Sequence, residues 1–506
     1  MKRLYPLAWA CALGLGACSS DRVTVHATID LPTAEKLNPM PNLVRMRAEL
    51  DGSENADDVA HELDLSAREV SFPDYPGSRT YKLTLKGYDE SDNLVAYGEV
   101  RGELKTSSVD VKLPFRRLLG YVTHRAPCDA GCGNDQVCAS PLKGPFECVP
   151  KGADCDACGA GTACVQLTAT ATACASAWGT RVSKAPGVVY VVDVGTRSRL
   201  DTLTLPGNHP RGLGVFARGG DGVWIVYKDD AATKATFLSS SDHTFGPSID
   251  LPFAHEIVVA SPSQRYAVAA GGGAISFIDQ ENNTILRSVQ VGGSVYDVAL
   301  GGENQRDALF VTSAGLLEVP LDLAETTEGA NPGDISRPAG VAVDDNGRIA
   351  YVSSGASGAV LEIDLFVGTA IRSDDPNHPG GPVLYFPGPA GAMTLAGGLL
   401  VAMEGGAKPQ HVVSFQVNGA GATAGNIGVL PNPSDIVAAP GGSGILLVSA
   451  GTSSASAGLT IIDATVPPTA STVTYFRDPT DMYRDPSGPM FPERYQPRRL
   501  GILYGQ

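Results

Sequence analysis

The chain has 506 residues, more than one ordinary core holds, with 59 glycines, 36 prolines and a formal net charge of −16. That charge excludes attraction to nucleic acid or anionic lipid as the basis of function, and the glycine and proline content suits an all-β protein rich in tight turns. No G-x-S-x-G elbow, H-E-x-x-H helix or phosphate loop is present, so no enzyme class declares itself by motif.

The amino terminus reads as an export signal. MKR supplies a positive start, LYPLAWACALGLGA a short apolar segment, and Leu15-Gly16-Ala17 a run of small residues before Cys18. This resembles a bacterial lipobox. The resemblance implies a lipoprotein signal peptide at 1–17, cleavage before Cys18, acyl chains on that cysteine, and a lipidated tether at 18–22. Ser19 after the cysteine implies the outer membrane, on its periplasmic face or at the cell surface. Several acyl chains make a stable anchor. The apolar segment is too short to span a bilayer, which needs roughly 18 to 20 residues. Without Lys2 and Arg3 the mature chain carries about −18.

Residues 23–118 alternate apolar and polar side chains with period two: VTVHATIDL, NLVRMRAEL, AREVSFP, TYKLTLKGYD, LVAYGEV and VDVKLPF, with DG, DYPGS and ESDN between them. These are predicted strands of a small sandwich. The module is similar to the Ig-like or transthyretin-like domains that follow lipid anchors, which implies a spacer; a binding edge strand is the alternative role.

Residues 119–176 hold eight of the ten cysteines. Cys128, Cys132, Cys138 and Cys148 are separated by three, five and nine residues, and Cys155, Cys158, Cys164 and Cys174 by two, five and nine. That is a tandem duplication. In an exported chain it predicts disulfides, two within each unit, with each unit open to three pairings. The spacing is wrong for a zinc ribbon, Gly159 stands where a haem attachment needs histidine, and the Cys155–Cys158 spacing leaves a redox pair as the alternative.

Residues 177–506 repeat one pattern, clearest from Arg337 to Ile371. GVAV, a DDNG turn, RIAYVSS, AVLEID and a fourth run predict a four-stranded antiparallel meander. Anchors on the innermost strand recur at Leu213, Ile257, Val298, Val341, Met393, Ile436 and Leu500, at intervals of 44, 41, 43, 52, 43 and 64 residues. Seven anchors predict a seven-bladed β-propeller. The last anchor has room for one strand only, whereas GVVYVVD and RLDTLTL precede any anchor. The carboxyl-terminal strand is therefore expected to close the ring beside them, with TRVS after Trp178 as the missing second strand. Two insertions, Ser373 to Ala390 and Ala464 to Pro497, lengthen the repeat.

HPRGLGV, RPAGVAV with DDNGRIAYV, and AISFIDQENNTILRSVQVGG resemble the YVTN-type repeats of extracytoplasmic propellers. The resemblance implies the propeller shape and, among such proteins, either surface binding and adhesion or lactonase-type hydrolysis.

The loops entering the innermost strands should crowd around one mouth of the channel. They carry Arg211, His255, Glu256, Tyr296, Asp297, Asp435, Arg498 and Arg499, the candidate binding residues. His255, Glu256, Asp297 and Asp435 could together ligate a divalent metal and activate water, or could be satisfied polar groups around a solvated channel. Tyr475, Phe476, Arg477, Tyr483, Arg484, Phe491 and Tyr495 make the last insertion a candidate contact loop, because tyrosine and arginine anchor interfaces and proline lowers the cost of ordering. The leading expectation is a lipid-anchored, non-enzymatic binding or scaffold protein of the cell envelope, without cofactor, meeting a protein or glycan. A metal-dependent, lactonase-like hydrolase is the alternative.

Overall fold

A computed structural model describes residues 22–503 except 53–58, 77–79, 105–106, 125–133, 141–146, 154, 156, 161, 169, 178–185, 208, 216–221, 230–231, 256, 261–264, 292, 303–305, 314, 322–337, 345–346, 366–368, 371–383, 387–389, 405–410, 418–424, 429–432, 439–443, 450–457, 464–468 and 474–496. Among the described residues the chain is all-β, broken only by the short 3-10 turns Glu35–Leu37 and Met40–Asn42. No helix among the described residues is long and apolar enough to cross a membrane.

Period-two patterning gives the first module its two sheets. Arg22–Asp30 buries Val23, Val25, Ala27 and Ile29 on one face, and lies between Glu69–Pro76, antiparallel, and Ser108–Pro114, parallel. Facing it is a five-stranded sheet ordered Val59–Leu63, Arg45–Gly52, Thr80–Tyr88, Leu94–Glu103 and Arg116–Arg117. Met46, Ala48, Leu50, Phe72, Leu83, Leu85, Leu113 and Phe115 fill the space between. Each large side chain buried there contributes roughly 1.5–3 kcal/mol.

The repeats give six further sheets. The fourth, from the template stretch, is typical: Pro338–Val343, Ile349–Ser354 and Ala359–Asp364 pair antiparallel in order, joined by tight turns. In the DDNG turn the Asp344 Oδ1 accepts the backbone N–H groups of Arg348 (2.7 Å) and Ile349 (2.9 Å). Gly347 closes it at φ 72°. A Cβ there would stand 2.3 Å from the Gly302 carbonyl oxygen of the preceding sheet, whose N–H in turn donates to the Gly347 carbonyl at 2.7 Å. Glycine is therefore needed twice over, for the left-handed backbone and for the close approach.

That sheet's outer strand is split. Asp364 faces Thr369, so an unbroken strand would set residue 374 against Ala359; Tyr385 stands there instead, eleven residues later. The first predicted insertion thus interrupts the outer edge of this sheet. The third sheet has three strands among the described residues, ending at Gly315–Pro320.

The closing sheet departs from the expected boundaries. Its order is Ser198–Thr204, Val188–Asp193, Leu119–His124 and Pro497–Leu503. The second strand is Leu119–His124, from before the cysteines; TRVS lies outside the described residues. Residues 119–124 therefore belong to this sheet and not to the cysteine module. The reason is packing: Leu119 and Tyr121 are buried with Val189, Val191, Val223, Ile225 and Leu238. His124 faces Val188 across an antiparallel pair, so the cysteine module is an insertion in what would otherwise be a hairpin.

Candidate functional site

Every repeat sheet has an entry side, where its first strand begins and its second strand ends, and an exit side at the other end. Register fixes this for the closing sheet too, since Pro497 and Val188 both face His124. The first strands of the third and fourth repeat sheets run alongside one another in the same direction, and that of the fifth lies against the fourth. Asp297 reaches Val341, a Cβ on Gly301 would touch Val343, and Gly340 lies against Gly391.

The entry side carries the candidate mouth residues, and the structure assigns work to several of them. Asp297 Oδ1 accepts the Val298 N–H at 2.9 Å and Oδ2 accepts the Val341 N–H of the next sheet at 3.0 Å. Its carboxylate is thus a bracket between first strands. Asp435 Oδ1 accepts the Ile436 N–H at 3.1 Å in the same way. Tyr296, beside Asp297, is 51% exposed. Strands His209–Val215 and Pro497–Leu503 carry Arg211, Arg498 and Arg499 to the same side; the positions of those side chains, and Glu256, lie outside the description.

His255 is not a surface group. It is 1% exposed, its Nε2 lies 2.7 Å from Ser276 Oγ, and that hydroxyl lies 2.7 Å from Ser288 Oγ. Its Nδ1 is buried with no hydrogen-bond partner. Burial pushes the imidazole down to about 4, with only the Gly271 backbone acting the other way. The ring is therefore neutral at neutral pH. A Ser–His pair at this distance has the geometry of a nucleophile and its base, but Ser276 is fully buried, so no substrate carbonyl reaches it as it stands. His255, Asp297 and Asp435 form no metal-type cluster among the described residues. The sulfurs of Cys155, Cys158 and Cys174 do lie within 4.8 Å of one another, but they are tied up in disulfides.

Those disulfides join Cys155 to Cys164 and Cys158 to Cys174, first to third and second to fourth in the second unit. Cys138 and Cys148 are also disulfide-bonded, and they face each other across their strands as Cys164 and Cys174 do. Cys128, Cys132 and Cys18 lie outside the described residues. The module's strands order as Glu147–Pro150, Gln136–Ser140, Ala171–Ala177 and Thr162–Thr168, and a bridge from Lys151 to Val165 links the two outer ones. Both ends of the module are rooted on the entry side, at His124 and Val188. The candidate contact-loop residues Tyr475, Phe476, Arg477, Tyr483, Arg484, Phe491 and Tyr495 lie outside the described residues.

The exit side carries a set of clasps that the sequence reading missed. Arg265 NH2 meets Asp279 Oδ2 at 2.7 Å, Arg348 NH2 meets Asp364 Oδ2 at 2.8 Å, and Arg117 NH1 meets Asp193 Oδ2 at 2.9 Å. In each case an arginine one or two residues before a second strand grips the aspartate that ends the third. The Arg265 hydrogen bond holds the Asp279 carboxyl well below the usual carboxylate range. The recurrent Ile-Asp and Val-Asp pairs were the available signal.

The sandwich docks on this exit side. Thr33 Oγ1 and the Ala34 N–H reach the Ser241 carbonyl at 3.2 and 3.1 Å, the Arg117 Nε donates to the Asn38 carbonyl at 3.1 Å, and Val95 packs on Gly195. Leu37, 1% exposed, enters the core shared by the closing sheet and the first repeat sheet. Beside it Lys36 Nζ lies 2.5 Å and His243 Nδ1 3.0 Å from Asp201 Oδ2, while His243 Nε2 lies 3.2 Å from the hydroxyl of buried Tyr121. Despite the penalty of partial burial, the bonds from His243 and Lys36 hold the Asp201 carboxyl far below its ordinary range.

No protein-family model matches the chain, and no curated protein matches it. Among solved structures, the chain is similar to Kuenenia stuttgartiensis hydrazine synthase at 11% identity and a TM-score of 0.41, over 50% of this chain and 76% of that one. It is similar to a functionally unknown protein from Desulfotomaculum acetoxidans DSM 771 at 10% identity and a TM-score of 0.43, over 63% of this chain and 96% of that one. Superpositions this loose bear on neither family nor activity.

Proposed function

We propose that the protein is a lipid-anchored binding or scaffold protein of the bacterial cell envelope, in which six repeat sheets and the closing sheet are the blades of a seven-bladed, YVTN-like β-propeller. Contacts between successive first strands support the ring. They run from His209–Val215 through Ile257–Ala260, Val295–Gly301, Pro338–Val343, Ala390–Ala396 and Pro433–Ala438 to Pro497–Leu503, which returns against His209–Val215. An Arg197–Asp463 approach of 3.9 Å supports the same neighbourhood of the last two sheets.

The observation that carries the location is the disulfide-stapled module, because such staples persist in oxidising compartments outside the cytosol. The lipobox then supplies the anchor at Cys18. The observation that favours binding over hydrolysis is the occupation of the polar entry-side groups: His255 is buried against Ser276, and both Asp297 oxygens accept backbone N–H groups. Acyl labelling in cells tests the anchor: the label is expected on the native chain and absent from Cys18→Ala, and a label that persists in the variant refutes it. Metal analysis with esterase and lactonase assays of purified protein tests the chemistry. Stoichiometric metal that is lost in His255→Ala would replace the binding reading with the hydrolase.

A further inference from the structure

The sandwich is placed so as to give the molecule a direction. Strand Arg22–Asp30 runs towards the repeat sheets. Its last residue, Asp30, holds Arg116 NH2 at 2.8 Å, one residue before the Arg117 that grips Asp193 of the closing sheet. Arg22 is therefore at the opposite end, about 26 Å away at 3.3 Å per residue. Ser107 is at that same end, its carbonyl accepting the Thr24 N–H at 3.0 Å. Between Cys18 and Arg22 stand only three residues, a reach of at most about 14 Å.

The junction at the near end is built as a joint with several separate locks. Arg117 to Asp193 and Asn38, Lys36 to Asp201, Thr33 and Ala34 to Ser241, and the apolar Leu37 all cross it. They engage both the closing sheet and the first repeat sheet, on the exit side of each. The entry side, with Tyr296 and the roots of the cysteine module, is consequently turned away from Arg22.

We propose that the sandwich is a rigid stand-off that keeps the entry side pointing away from the anchored end, so that this side, with the cysteine-stapled module rooted on it, meets a protein partner approaching from beyond and not the lipid of the protein's own membrane. The proposal rests on the anchored-binding reading above. The exposed Tyr296 on this side, and the stapled module whose chain leaves and re-enters this side at His124 and Val188, offer what protein recognition uses, a tyrosine that costs little to immobilise and pre-ordered strands.

The test separates the geometry from the anchor. A full mature chain carrying an amino-terminal histidine tag in place of the lipid is bound to vesicles containing nickel-chelating lipid. One fluorophore is introduced through a non-natural residue at Ser107, at Thr284 where the outer strand of the second repeat sheet begins on the exit side, or at Ala356 in an entry-side turn of the fourth; all three positions are exposed. Energy transfer to a lipid acceptor is expected to fall in the order Ser107, Thr284, Ala356. Equal transfer at Ala356 and Ser107 overturns the proposal whatever acyl labelling of the native chain shows. A photocross-linking residue at Ala356 is then expected to capture protein in intact cells where one at Thr284 does not; capture of glycan or lipid alone at Ala356, or of protein only at Thr284, overturns the choice of partner.

Discussion

His243 and Asp201 lie on adjoining sheets, and the 3.0 Å contact between Nδ1 and Oδ2 makes them the hinge-pin of the seam where the first and closing repeat sheets meet. Three chain regions converge on that pair: Lys36 from the sandwich, Tyr121 from the strand before the cysteines, and His243 itself from a turn where it takes a φ of 59°. Truncating His243 to alanine leaves the Tyr121 hydroxyl and one Asp201 bond unmade inside a buried site. The expected cost is about 2–3 kcal/mol, against about 1 kcal/mol for Tyr121→Phe, which keeps the ring and removes one hydrogen bond. Chemical denaturation of the two variants checks the ranking; a smaller loss for His243→Ala than for Tyr121→Phe refutes the buried hinge-pin.

Acid should act through His255. Its unfolded value is near 6.5 and its folded value about 4, so below pH 6.5 the unfolded chain takes up a proton that the folded chain refuses. Stability is unaffected above pH 6.5 and falls as the pH drops from there through 4, by a total of about 3 kcal/mol. A His255→Gln variant lacks this term. Its stability curve should therefore be flatter than the native one between pH 6.5 and 4, measured by urea unfolding at fixed temperature, and parallel curves would contradict the buried neutral ring.

Gly347→Ala places a methyl group 2.3 Å from the Gly302 carbonyl and forces alanine to a φ of 72°. The carbonyl is backbone and cannot swing aside. Destabilisation of at least about 2 kcal/mol is expected. Gly159→Ala, where nothing lies within 4 Å of the added carbon, serves as the control and should melt within about a degree of the native chain. Differential scanning calorimetry reads both.

Reduction should divide the molecule. The two described bridges close loops with sequence separations of 9 and 16, each adding on the order of 3 kcal/mol to a small module, and both lie inside the hairpin insertion. Dithiothreitol is expected to unfold the module while the closing sheet, paired through Leu119–His124, Val188–Asp193 and Pro497–Leu503, persists. Limited proteolysis under reducing conditions should then cut first between residues 124 and 188. Simultaneous loss of the repeat sheets would show instead that the module holds them together.

The template strands are readable because they run apolar between turn residues: Ile349–Ser354 and Ala359–Asp364 fall within the predicted runs, and Pro338–Val343 contains GVAV and begins two residues before it. What escaped was whatever depended on distance along the chain. GYVTH before the first cysteine has the same Tyr-Val core as YVSS in the template, yet it pairs with Val188 across the cysteine module and was assigned to that module. The offset of His255 from Ile257 fixes where the backbone enters its strand but not whether the ring turns to solvent or, as here, into the buried contact with Ser276. Asp297 lies where its first strand begins, but its Oδ2 accepts a backbone N–H of the next sheet, and no spacing rule reveals such a partner.

The split origin of the closing sheet also constrains how the molecule is made. Leu119 finds Leu503 only after some 380 intervening residues have been synthesised. Until then Leu119–His124 has hydrogen-bonded neighbours on one flank only, and its other flank is a bare row of amides and carbonyls open to pairing with other chains. Formation of a pair so distant in sequence is intrinsically slow. Holding factors that shield sheet edges should therefore matter more to the yield of this protein than to its stability once assembled.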